Sequence, residues 1–145
     1  MGIWKRFLTP EAINEFNRGT MQETIGLAFT EVGGDYLVAE LPVDGRTKQP
    51  YGILHGGASV VMAESLGSMA SNMLFETSDQ ECLGIEISAN HIRAVRDGKV
   101  IGRVTAINLG KTLHVWEIRI TTPEGKLTCV SRLTVLVRAR QVETT

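Results

Sequence analysis

The chain has 145 residues, 43% of them hydrophobic, enough for one buried core and short for two ordinary domains, so residues 1–145 read as a single domain. Lys and Arg number 15 against 16 Asp and Glu, and the resulting net charge of -1 excludes a general electrostatic grip on nucleic acid or on an anionic membrane. No apolar run approaches the roughly 20 residues that cross a bilayer, and the opening MGIWKRFLTPEAINEF lacks a signal-peptide core, so a cytoplasmic protein is expected.

Thr9-Pro10-Glu11 predicts a helix start, with Thr9 as N-cap and Pro10 at the first helical position, running to about Asn17. Thr20 with Glu23 three residues on predicts a capping box for a helix of a turn or two, which Gly26 ends. From Leu27 the period becomes that of strands: LAFTEV, a Gly33-Gly34-Asp35 hairpin loop, then YLVAELPV. Asp44-Gly45 and Gln49-Pro50 mark a loop ahead of a helical stretch from Ala58 to Phe75. Beyond polar residues 76–81 comes CLGIEISANHIRAV, where Leu83, Ile85 and Ile87 alternate against Gly84, Glu86 and Ser88. Arg96-Asp97-Gly98 turns into KVIGRVTAINL, Gly110-Lys111 into TLHVWEIRITT, and Pro123-Glu124-Gly125 into KLTCVSRLTVLVRAR. These short turns predict a four-stranded antiparallel meander. The fold class is therefore α+β, one antiparallel sheet wrapped around one long central helix, and strands of about ten residues predict a strongly curved sheet.

Cys82 and Cys129 lie far apart, outside any C-x-x-C or zinc-ligand spacing, so the reading is two reduced thiols on strands and no metal.

The chemistry concentrates in QPYGILHGGASVVMAES, Gln49 to Ser65. At 100° per residue, Glu64, Ser65, Ser68, Ser71 and Asn72 share one helix face, opposite Met62, Leu66, Met69 and Met73. A lone helical Glu is more often a solvated surface residue than a catalyst. Two features favour a buried role here: the face carries no other charge, and Ala63, Gly67 and Ala70 form a flanking small-residue stripe that lets another backbone pack close. A covered carboxylate needs a partner or a purpose, because burying an unpaired charge is expensive.

His55-Gly56-Gly57 at the helix entrance offers unpaired N–H groups at the positive end of the helix dipole, suited to polarising a carbonyl. A tight strand-to-helix turn explains the same glycines equally well. Gly57 and Glu64 are separated by roughly 10 Å along the axis, so one helix hardly presents both to one small electrophile. Two antiparallel copies about a two-fold axis would.

The segment QPYGILHGGASVVMAES, followed by LGIEISANHIR and INLGKTLHVWEI, resembles the hotdog-fold acyl-CoA thioesterases of the phenylacetate-thioesterase-like group. The likeness runs from WKR to CVSRLTVLV and is strongest to bacterial dihydroxynaphthoyl-CoA hydrolases of menaquinone synthesis and to the proofreading thioesterases of enterobactin synthesis. It implies a hotdog fold, a homodimer with interfacial active sites, often doubled into a homotetramer, and an acyl-CoA substrate; no cofactor is expected, since coenzyme A is part of the substrate. It also implies roles: Glu64 as nucleophile or general base, the Gly56 amide polarising the thioester carbonyl, Gln49 and His55 contacting the reacting group, and Ser68 placing acid or water. CoA is expected along the strand of Gly84, His91 and Arg93 and at the turn of Asn108, Gly110 and Lys111. His91, Arg93, Arg96 and Lys111 make a local basic set suited to nucleotide phosphates. Tyr51 stands where related sequences carry Phe, and His114 matches no role and reads as packing or surface.

The expected reaction is hydrolysis of an aromatic acyl-CoA of the dihydroxynaphthoyl or hydroxybenzoyl type, with Trp4, Leu8, Tyr51, Met69 and Phe75 as candidates for the acyl pocket. A non-catalytic acyl-CoA sensor on the same fold would dispense with the acid. An acyl-thioester hydratase or dehydratase would also use a helix acid and a histidine.

Overall fold

The computed structural model describes residues 2–141, so Met1 and residues 142–145 of the expected domain lie outside the described part. Two short helices come first, α1 (Pro10–Phe16) and α2 (Met21–Thr24), then strands β1 (Ala28–Val32) and β2 (Tyr36–Pro42), the long helix α3 (Gly56–Asn72), and strands β3 (Gln80–His91), β4 (Lys99–Leu109), β5 (Leu113–Thr121) and β6 (Leu127–Ala139).

Thr9 caps α1 by accepting from the Ala12 N–H, as its position predicts. The capping box at α2 does not form. The Thr20 side chain makes no cap bond, its hydroxyl donating to Asn17 O instead, and Glu23 accepts from the Gly19 N–H at 2.7 Å. Gly26, at φ 78°, ends the helix in the left-handed conformation that glycine tolerates.

All six strands form one antiparallel sheet in the order β1-β2-β4-β5-β6-β3. The expected meander therefore holds only for β4, β5 and β6. β3 leaves α3 and pairs with β6 at the far edge, because residues 92–98 cross the end of the molecule instead of making a hairpin. In that crossing Ile92 and Arg93 donate to Thr128 O, and Leu54 donates to Val95 O. This is also why β3 stops at His91, short of the expected strand end. Register shifts interrupt the ladders at Gly84/Glu86 and Ala106/Asn108, and such bulges deepen the curvature the long strands predict.

α3 lies in the hollow of the sheet. Met62, Leu66 and Ala70 are buried against Val104, Trp116, Ile118 and Leu133. Gly67 permits this closeness, since a methyl group there would fall 2.5 Å from Leu133 Cδ2. Ser71, assigned by periodicity to the polar face, is fully buried: its hydroxyl accepts from Trp116 Nε1 at 2.8 Å and lies 3.0 Å from His114 Nδ1. The helix starts at Gly56, two residues before the expected Ala58, because His55 supplies the cap.

Candidate active site

Two features of α3 converge on chemistry, one at its entrance and one two turns along it. At the entrance, His55 Nδ1 accepts from the Gly57 N–H at 2.8 Å, while Ala58 donates to His55 O at 2.9 Å. The Gly56 N–H is left without a partner among the described residues, at the positive end of the dipole. Gln49 turns its Oε1 onto the Tyr51 N–H, which commits the carbonyl end of the side chain and leaves the NH₂ end to donate. A methyl group on Gly56 would lie 2.8 Å from His91 Nε2, so this imidazole sits directly over the entrance. Gln49, Gly56, Ser59, His91 and Arg93 line one cavity of about 280 Å³. His91 and Arg93 reach it because β3 ends there on the Thr128 carbonyl.

Two turns along, Glu64 is half-buried, with no ion pair among the described residues. Burial pushes its carboxyl pKa above the usual carboxylate range, since desolvation disfavours the charged form. One carboxylate oxygen occupies the place that a Gly84 side chain would take. Glu64 also lines a second, mostly apolar cavity of about 300 Å³ with Met21, Gln22, Val60, Val61 and Ser65. Ser68 follows one turn later on the same face, its carbonyl accepting from Asn72 Nδ2 at 3.0 Å.

The sequence-predicted residues therefore divide. Gln49, Gly56, His91 and Arg93 surround one cavity, while Glu64 and Gly84 meet beside the other. Asn108 near the end of β4, and Gly110 and Lys111 in the turn that follows, are exposed and line neither. His55 serves as the helix cap. His114 is packing, 4% exposed, stacked 6.0 Å from the Phe75 ring. The acyl-pocket candidates are scattered: Leu8 and Met69 share a cavity with Arg6 and Phe16, Trp4 donates to Gly33 O, Phe75 packs on His114, and Tyr51 is 85% exposed. The apolar walls beside Glu64 come instead from Met21, Val60 and Val61, which helical periodicity alone does not single out. Their signal was the apolar Val60-Val61 pair one turn before the acid. No cluster of His, Cys, Asp and Glu that could hold a metal occurs among the described residues, and none of the described helices is long and apolar enough to cross a membrane.

The thioesterase superfamily profile matches residues 51–129. The chain is 47% identical over 135 residues to a 1,4-dihydroxy-2-naphthoyl-CoA hydrolase of Escherichia coli, covering 93% of this chain and 98% of that one. It is 48% identical over 136 residues to the proofreading thioesterase EntH of Cronobacter sakazakii, again covering 93% and 98%. A crystallised mutant of thioesterase PA1618 from Pseudomonas aeruginosa superposes with a TM-score of 0.93 at 43% identity, over 96% of this chain and 100% of that one. With a curved antiparallel sheet closed around a buried helix, and relatives of this identity along nearly its whole length, the chain belongs to the thioesterase superfamily and carries its hotdog fold.

Proposed function

We propose that this thioester hydrolase cleaves an aromatic acyl-CoA at a site assembled from two copies of the chain. The observation that carries the reading is the separation of Gly56 and Glu64, roughly 12 Å along a single helix. One chain holds a carbonyl-polarising amide and, too far away for the same carbonyl, a desolvated acid. Antiparallel apposition of two α3 helices brings the entrance of one beside the middle of the other. The free edge of the sheet supports this: among the described residues β3 pairs only with β6, and it exposes Leu83 at 43% and Ile85 at 56% next to the glycine that touches Glu64.

In that assembly the thioester arm enters the cavity of Gln49, Gly56, His91 and Arg93 on one copy, and the acyl group meets Glu64 of the other. The thioester carbonyl accepts from the Gly56 N–H and the Gln49 NH₂ group. Glu64 then acts in one of two ways. As a base it takes a proton from water, whose oxygen bonds the acyl carbon. As a nucleophile it bonds that carbon itself, and water hydrolyses the resulting anhydride. Either way the C–S bond breaks, the thiolate leaves and takes a proton, and the products are a carboxylic acid and CoA. His91 and Arg93 hold the pantetheine and phosphate side, and no cofactor or metal enters the reaction.

Thiol release from a panel of hydroxybenzoyl, dihydroxynaphthoyl and straight-chain acyl-CoAs, with wild type and Glu64→Gln side by side, tests the reading. Fastest release from an aromatic ester that collapses in the variant is expected. Tight ester binding with no release by either protein identifies a sensor and overturns it. Single turnover in ¹⁸O water then bears on the two roles: label recovered in Glu64 marks the nucleophile, because a general base never forms the anhydride through which water oxygen enters the carboxylate.

A further inference from the structure

The apolar cavity beside Glu64 has one polar wall that the mechanism above does not use. Gln22 Oε1 is fully buried and has no hydrogen-bond partner, the one such side-chain atom found among the described residues. Leaving a buried acceptor unpaired is costly, so its presence asks for a donor that completes it. Gln22 lies in α2, whose Met21 and Gln22 face Val60, Val61 and Glu64 across the cavity. The neighbouring hydroxyl at Thr20 is already spent on Asn17 O at 2.6 Å. The Gln22 amide is thus an uncommitted hydrogen-bonding group on walls that otherwise offer methyls, a thioether, the Thr20 and Ser65 hydroxyls and the acid. Its terminal torsion is broad, so rotation about it can turn the carboxamide toward the cavity that Gln22 lines.

Resting on the reading that this cavity receives the acyl group, we propose that Gln22 is a specificity residue that accepts a hydrogen bond from a hydroxyl on the acyl ring. Met21 and the two valines enclose the ring, with the thioether suited to an aromatic edge. The carboxamide then discriminates by chemistry, where apolar walls alone discriminate weakly: a hydroxylated ring completes the acceptor, and a bare ring leaves it as unpaired as before. Gln22 acts on which ester is chosen, and takes no part in the C–S cleavage.

The test compares kcat/KM for benzoyl-CoA and for the three ring-position isomers of hydroxybenzoyl-CoA, using wild type, Gln22→Leu and Gln22→Met. Wild type is expected to prefer at least one hydroxylated isomer over benzoyl-CoA by about tenfold or more. Both variants are expected to lose that preference by slowing on the hydroxylated ester while keeping or improving the benzoyl rate. Their melting temperatures should hold or rise, because an orphan acceptor has been replaced by carbon. A hydroxyl-to-benzoyl ratio that is the same in wild type and both variants overturns the role of Gln22 while leaving the hydrolase intact. Thiol release from no ester in the panel, by wild type included, would instead remove the hydrolase reading on which the proposal rests.

Discussion

Glu64 and Gly84 share one space: a carboxylate oxygen of the helix acid lies within contact distance of where the side chain of residue 84 would begin. Gly84 also sits at the bulge where β3 shifts register against β6, so backbone irregularity and the missing side chain together make the notch for the acid. Gly84→Ala is expected to push the carboxylate aside without disturbing the core, since residue 84 is exposed. A displacement of about 1 Å at a reacting group can cost on the order of 100-fold in rate. Steady-state kinetics should show a fall of that order in kcat with a nearly unchanged melting temperature. Unchanged kcat would detach Glu64 from the reaction.

Removing the charge itself should separate rate from stability. Glu64→Gln is expected to lower kcat by about 100- to 10,000-fold, the range of a lost general base. The same change should stabilise the fold at neutral pH. Burial raises the folded pKa of Glu64 above 4.5, so ionisation weakens the folded state as pH rises from 4.5 through that higher value. The stability gain of the variant should therefore be present at pH 7 and vanish near pH 4 in thermal melts. In the wild type, kcat/KM should fall on the acid side with an inflection above the ordinary carboxylate value.

His114 gives a pH dependence of the opposite sense. Burial lowers its pKa below 6.5 and outweighs a hydrogen bond to the Gly110 backbone, so the neutral imidazole is the folded form. Stability is then full above 6.5 and fades as pH falls from 6.5 through the lower folded value. Denaturation midpoints between pH 7 and pH 5 should drop in wild type and flatten in His114→Gln. Ser71→Ala should cost about 1–3 kcal/mol at every pH, because it strands the buried Trp116 N–H.

Arg93 and His91 line the other cavity, where the proposed role is binding. Arg93→Ala is expected to raise KM for CoA esters by about tenfold, the value of a charge-assisted hydrogen bond to phosphate, with kcat changed little. High salt should shrink the difference between wild type and variant. An equal loss in kcat and kcat/KM would instead place Arg93 in the transition state.

Much of this was legible in the chain. Thr9-Pro10 marks α1, the alternation from Leu27 gives the hairpin, and the single acid on an otherwise uncharged helix face points to Glu64. Pairing of β3 was not legible, because a turn such as Arg96-Asp97-Gly98 reads alike whether it closes a hairpin or carries the chain across the molecule. Ser71 was misplaced for a related reason. Periodicity assigns a face, whereas its burial depends on Trp116 and His114, which lie 45 and 43 residues away. Gln22 escaped notice because a glutamine in a four-residue helix looks like any solvated residue until its neighbours across the cavity are known.

The far-edge position of β3 also constrains the order in which the chain can finish folding. Glu81 finds its partner Arg138 at a separation of 57 residues, whereas β4, β5 and β6 meet through short turns. On a ribosome, β1, β2, α3, β4 and β5 can assemble while β3 waits, because its neighbour in the sheet among the described residues is β6, which emerges after all of them. Closing so distant a pair is slow relative to local pairing. Until then the notch that receives Glu64 has no fixed wall, so the nascent chain has most of its sheet before it has the setting of this acid, and strand β6 completes both at once.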